Sequence, residues 1–98
     1  MIICRKLRLY QKNTLQGFAD LELTGVGIVL RDCPWHRHPV GKEWVGFAAR
    51  PYETKYGEKS WQPIIEFAAG AGEAREDFQR RAIEAIHSFA EQELGTVP

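Results

Sequence analysis

No stretch of this chain approaches the ~18 consecutive apolar residues that a membrane-spanning helix needs. The first residues, Met1-Ile2-Ile3-Cys4-Arg5-Lys6, carry charge where a signal peptide would need an apolar core. The expectation is a cytoplasmic protein without a membrane partner. Cysteine is scarce as well. Cys4 and Cys33 are the only two, too few for a disulfide framework, and they read as free thiols in a reducing compartment. There is no Walker loop, no G-x-G-x-x-G after a strand, no H-E-x-x-H and no G-x-S-x-G, so none of those routes to nucleotide, metal or serine chemistry is signalled. Excess charge of either sign is also missing. Thirteen Lys and Arg balance thirteen Asp and Glu, which removes the simplest argument for a nucleic-acid binder.

What is present is globular. Hydrophobic residues make up 44% and charged residues 27% of 98, enough for one core and one domain over residues 1–98. The neutral total hides a division. Residues 1–60 hold ten basic and six acidic side chains, a net of +4, and residues 61–98 hold three basic and seven acidic, a net of −4.

The basic part reads as strands. Residues 2–10 alternate, with Ile3, Leu7 and Leu9 opposite Cys4, Lys6, Arg8 and Tyr10, and Arg5 marks an edge. Residues 17–23 set Ala19, Leu21 and Leu23 against Phe18, Asp20 and Glu22. Thr24-Gly25 is a candidate tight turn into a strand at 26–32. Residues 33–41, with Pro34 and Pro39, read as a loop. A fourth strand over 43–49 sets Val45 and Phe47 against Trp44 and Ala48, and a polar tip at 52–60 leads to a fifth strand at 61–67, which Pro63 places at an edge or bulge. Beyond Gly72 the period changes to 3.6. Phe78, Ala82, Ile86 and Phe89 share one face of a helix over about 73–94, stopped by Gly95. The fold class is therefore α+β: an antiparallel meander of about five strands with one C-terminal amphipathic helix on one face.

One helix leaves the other sheet face open. Alternation would place Arg8, Arg31, Trp44 and Arg50 there, with Trp35, Tyr52, Lys55, Lys59 and Trp61 from the loops. Single-stranded nucleic acid is held by such a mixture, because cations neutralise phosphate and flat rings stack on unpaired bases. The alternative is a protein-interaction or structural module whose aromatic face meets a dimer mate or another partner. Cys33-x-x-His36-x-His38 offers three zinc-compatible side chains, but no second pair of ligands accompanies them, so no metal or other cofactor is expected. Cys33 beside a histidine lacks an orienting third group, and nothing else assembles an enzyme site.

The order Leu7-Arg8-Leu9, Gly17-Phe18-Ala19-Asp20-Leu21-Glu22-Leu23, Ile28-Val29-Leu30-Arg31-Asp32, Trp44-Val45-Gly46-Phe47-Ala48-Ala49-Arg50, Tyr56-Gly57-Glu58 and Trp61-Gln62-Pro63-Ile64-Ile65, closed by a helix at Phe78–Ile86, resembles the SpoVG-type septation regulators. It is closer still to small proteins of that type from bacteriophages and mobile elements. The resemblance implies a sheet of four or five strands with a C-terminal helix, often dimeric, and DNA binding. The helix here is acidic where the septation regulators' DNA-contacting tail is basic, so only the fold and Arg50 carry over. The resulting expectation is a non-enzymatic, homodimeric protein that binds single-stranded DNA.

Overall fold

The computed structural model describes residues 1–98 and is α+β. Its strands are β1 (Ile2–Lys12), β2 (Leu15–Leu23), β3 (Ile28–Arg37), β4 (Glu43–Val45), β5 (Ala49–Glu53) and β6 (Lys59–Pro63), followed by one helix, α1 (Gly72–Leu94). The first four form an antiparallel sheet in sequence order, and β5 and β6 form a separate two-stranded ribbon. β1 is an edge strand, where Arg5 placed it.

The core lies between the sheet and α1. Ala19 and Leu21 of β2, Leu30, Cys33 and Trp35 of β3, and Val45 of β4 meet Phe78, Ala82 and Ile86 of the helix. Ala82 and Ala90 are both fully buried, because small side chains let the helix lie close to the strands. Only 12 of 98 residues are buried, so each core position carries a large share of the stability. Gln79 fastens the helix to the sheet edge. Its Nε2 donates to the Val45 carbonyl and its Oε1 accepts from the Val45 N–H, both at 2.7 Å, satisfying β4 groups that lack a strand partner. The helix ends at Gly95, whose φ of 79° is left-handed and whose N–H donates to Glu91 O at 3.2 Å.

Several elements differ from the alternation reading, each for a local reason. In β1 the register steps from Cys4↔Leu21 to Lys6↔Asp20, so Arg5 is an inserted bulge residue. The bulge inverts the side-chain parity. Cys4 joins the core with Leu7 packed against it, and Ile3 is exposed. In β3 the register steps from Ala19↔Cys33 to Leu21↔Leu30, a second bulge at Arg31-Asp32, where Asp32 has φ 54°. The expected turn at Thr24-Gly25 is the four-residue segment Thr24–Gly27 between the paired Leu23 and Ile28. The strand expected at 26–32 continues to Arg37, taking in much of the expected loop. Pro34 is accommodated because β4 pairing ends beside it, and the proline carbonyl still accepts from Gly46 N–H at 2.9 Å.

The strand expected over 43–49 stops at Val45, and the chain leaves the sheet through Gly46–Ala48. It then forms the β5–β6 ribbon, so the expected fifth strand lies at Lys59–Pro63 and belongs to this ribbon. The ribbon pairs with no strand of the main sheet, and its backbone comes close to neither that sheet nor the helix. The molecule extends 47 × 30 × 25 Å, with a radius of gyration of 14.5 Å. A compact domain of this length has about 13 Å, and the excess is the projecting arm.

Gly17 tests the β1–β2 packing. A Cβ there would lie 2.6 Å from the Arg8 carbonyl oxygen, whereas one at Gly25 meets nothing within 4 Å. Gly17→Ala is expected to lower stability by about 1–3 kcal/mol in urea unfolding, with Gly25→Ala changing it far less.

Candidate nucleic-acid interface

The face of the sheet opposite α1 is uncovered. Arg8, Phe18 and Pro34 stand in register across β1, β2 and β3. The Arg8 guanidinium lies 5.0 Å from the Phe18 ring centroid, a cation–π distance that steers the charge over the sheet. Two residues further along, His36 and Trp44 pair across β3 and β4 with rings stacked at 5.0 Å and 5°. Thr14 Oγ1 and His36 Nδ1 share a hydrogen bond of 3.0 Å that fixes the imidazole. Burial lowers the His36 pKa below its ordinary value, so the ring is a neutral, flat surface at pH 7. This face thus presents one stacked pair, one arginine-topped phenylalanine and a proline between them.

The arm stands beside this row. Trp61 is 69% exposed and, with Ala49 at the arm's root, lines a groove that also contains Arg8, Phe18, Asp32 and Pro34. Trp61 opposes Pro51, and Tyr52 opposes Ser60. Alternation therefore places Lys59 and Trp61 on one face of the ribbon and Arg50 and Tyr52 on the other. Lys55 sits at the tip, 5.1 Å from the Tyr56 ring.

These positions divide the nine expected contact residues. Arg8 and Trp61 meet at the groove, while Lys59 shares the ribbon face of Trp61 nearer the tip and does not line it. Trp44 lies on the same open face but is held against His36. Arg50 and Tyr52 project from the far side of the arm; strand four ends before Arg50, so the expectation that this arginine decorates the sheet is corrected. Arg31 is on the open face but paired with Asp20 at 3.3 Å, and Arg5 is likewise bound to Glu22. Trp35 is corrected outright: it is fully buried, because the β3 bulge turns it to the helix side, and it cannot stack on a base. Phe18, His36 and Asp32 complete the site. Phe18 was visible from alternation alone, while the other two depend on the extension and bulge of β3.

The zinc-compatible trio is dispersed. Cys33 is buried on the helix side with its Sγ donating to Leu30 O, His36 stacks on the open face, and exposed His38 accepts from Val40 N–H through Nδ1. Burial pushes the Cys33 thiol up to about 12 and the Cys4 thiol to about 11, so both are protonated and poorly nucleophilic at neutral pH.

Trp35 instead anchors a polar junction beneath the site. Its Nε1 donates to Glu43 Oε2 at 2.8 Å, and the same oxygen accepts from His87 Nε2 at 2.8 Å. Arg37 reaches Glu43 Oε1 at 3.6 Å and lies 5.2 Å from the Trp35 ring centroid. Glu43 thereby ties β3, β4 and α1 together. Comparison with protein families, with characterised proteins and with solved structures gives no match for this chain.

Three outcomes follow. Glu43→Ala leaves the Trp35 N–H buried without an acceptor and is expected to cost about 1–3 kcal/mol in urea unfolding; Glu43→Gln keeps an acceptor oxygen and loses less. The folded thiols titrate above the ordinary thiol value of about 9, so stability is intact below pH 9 and declines as pH rises through about 11 to 12. Ellman titration at pH 8 should find both thiols about tenfold or more slower in the native protein than in urea.

Proposed function

We propose that this protein is a non-enzymatic, cytoplasmic single-stranded-DNA-binding protein acting as a homodimer. The observation that carries this reading is the juxtaposition of Arg8, Phe18 and Trp61 on the sheet face that the helix leaves open. A strand laid along that face meets cations for its phosphates and rings for its bases. The unpaired acids of the helix, Glu73, Glu76, Glu84, Glu91 and Glu93, are exposed on the other side of the molecule. The charge split noted in the sequence therefore favours approach of a polyanion from one side.

A second reading is favoured by the arm. An isolated two-stranded ribbon is marginal in water, and this one exposes Trp61, with Ile64 and Ile65 following it. In that reading the arm is a docking element for a second copy or another protein, and nucleic acid plays no part.

Fluorescence anisotropy with a labelled twenty-residue dT strand separates the two. Binding should appear in the ~1–100 µM range of non-specific contacts at low salt and weaken as salt rises. Arg8→Ala and Trp61→Ala should each weaken it by about fivefold or more, the lower end of what one stacking or charge contact supplies. Arg50→Ala, on the other side of the arm, should change it by less than about twofold. Absence of binding at tens of micromolar protein, or affinity indifferent to both salt and Arg8→Ala, overturns the nucleic-acid reading. Loss of the dimer in light scattering on Ile64→Ser/Ile65→Ser, together with such an absence, establishes the docking reading.

A further inference from the structure

The groove at the root of the arm contains a carboxylate that the proposed function does not use. Asp32 occupies the β3 bulge at φ 54°, a left-handed conformation that Asp and Asn tolerate better than most side chains. Its N–H donates to Asp20 Oδ1 at 3.0 Å, which fixes the turned backbone. The neighbouring Arg31 is taken by Asp20, and Arg8 is drawn over the Phe18 ring. The Asp32 carboxylate is therefore left unpaired at the wall of a groove of about 380 Å³, near the lower end of the ~300–1,000 Å³ of small-molecule sites. Backbone strain placed at a binding groove is a feature the surrounding structure has to hold in place, and here Asp20 holds it.

A carboxylate repels phosphate, so in a groove for a single strand it is useful only against N–H donors. Unpaired bases expose their Watson–Crick edges to proteins. On that edge thymine offers one N–H, and adenine and cytosine offer one amino group each. Guanine alone offers two adjacent donors, N1–H and the N2 amino group, that match the two oxygens of a carboxylate. The remaining lining fits the rest of such a nucleotide: Trp61 on the arm side, Pro34 on the sheet side, and Arg8 with its guanidinium over the Phe18 ring.

We infer that this groove binds one unpaired guanine, its base lodged between Trp61 and Pro34, its N1–H and N2 amino group donating to Asp32, and its phosphate met by Arg8 where the guanidinium lies over Phe18. The inference rests on the single-strand reading and adds a base preference to it. The contact is non-covalent, and Asp32 acts as a specificity residue.

The test uses the full chain and four labelled strands, each a dT run with one central dG, dA, dC or dT. The dG strand should bind about tenfold more tightly than the other three, within the discrimination that a bidentate base contact supplies. Asp32→Asn keeps a side chain tolerant of the positive φ, and Asp32→Gly tolerates it without any side chain. In both variants the dG preference should fall below about twofold, while affinity for the plain dT strand is retained or raised by removal of the negative charge. Equal affinity of the wild-type protein for all four strands, with salt-dependent binding intact, overturns the guanine site and leaves the single-strand reading standing. A dG preference that survives both variants overturns the role of Asp32. No binding of any strand overturns both readings together.

Discussion

One helix has to close the inner face of a four-stranded sheet, and it has no counterpart for the outer face. Everything else in this protein is arranged around that inequality. On the inner side the small residues Ala82 and Ala90 let the helix approach, and Trp35 fills the space between β3 and α1 with its one polar atom answered by Glu43. Gln79 uses both ends of its amide on a single residue of the short strand β4, which would otherwise present an open edge. With the inner face sealed in this way, the outer face is free to carry side chains that contribute little to folding, and it is there that cation, ring and carboxylate are found close together.

Of the four register irregularities in the sheet, two single-residue insertions shape that outer face. The bulge at Arg5 turns Cys4 into the core, and the bulge at Arg31-Asp32 turns Cys33 and Trp35 into it while leaving Asp32 outside. Each is a local event with consequences for the remainder of its strand, since a side-chain period of two has no means of recovering after an odd insertion. The same bulges let β1, β2 and β3 keep Arg8, Phe18 and Pro34 in one row. Strand irregularity is here the means by which a groove is set against a flat surface.

That also explains which features were legible in the sequence. The helix was, because its apolar stripe of Phe78, Ala82, Ile86 and Ala90 persists over more than three turns and the helix ends at a glycine that adopts the left-handed cap. The β2 alternation was too, since Ala19 and Leu21 are both fully buried and Phe18 stands opposite. Trp35 was not: its neighbours Pro34 and Pro39 signal a loop, and only the premature end of β4 lets a strand accommodate the first of them. Arg50 was placed on a strand that stops five residues earlier, because nothing in Trp44–Arg50 marks the point where the chain turns away from the sheet. The groove was legible only in its components. Arg8 and Trp61 are 53 positions apart in the chain, and their meeting depends on the direction taken by Gly46–Ala48.

The opposed charge of the two faces has a consequence for the protein in bulk. A molecule with a basic excess in residues 1–60 and an equal acidic excess in residues 61–98 is a dipole, and at neutral pH its thirteen charges of each sign leave no net charge to keep copies apart. In dilute buffer such particles attract, the basic side of one meeting the acidic helix of the next. At physiological ionic strength the screening length is about 8 Å, less than the smallest molecular dimension of 25 Å, so this long-range attraction is damped. The protein should accordingly be salted in: its colloidal solubility near pH 7 rises as electrolyte is first added, before any exclusion of salt from its surface takes effect.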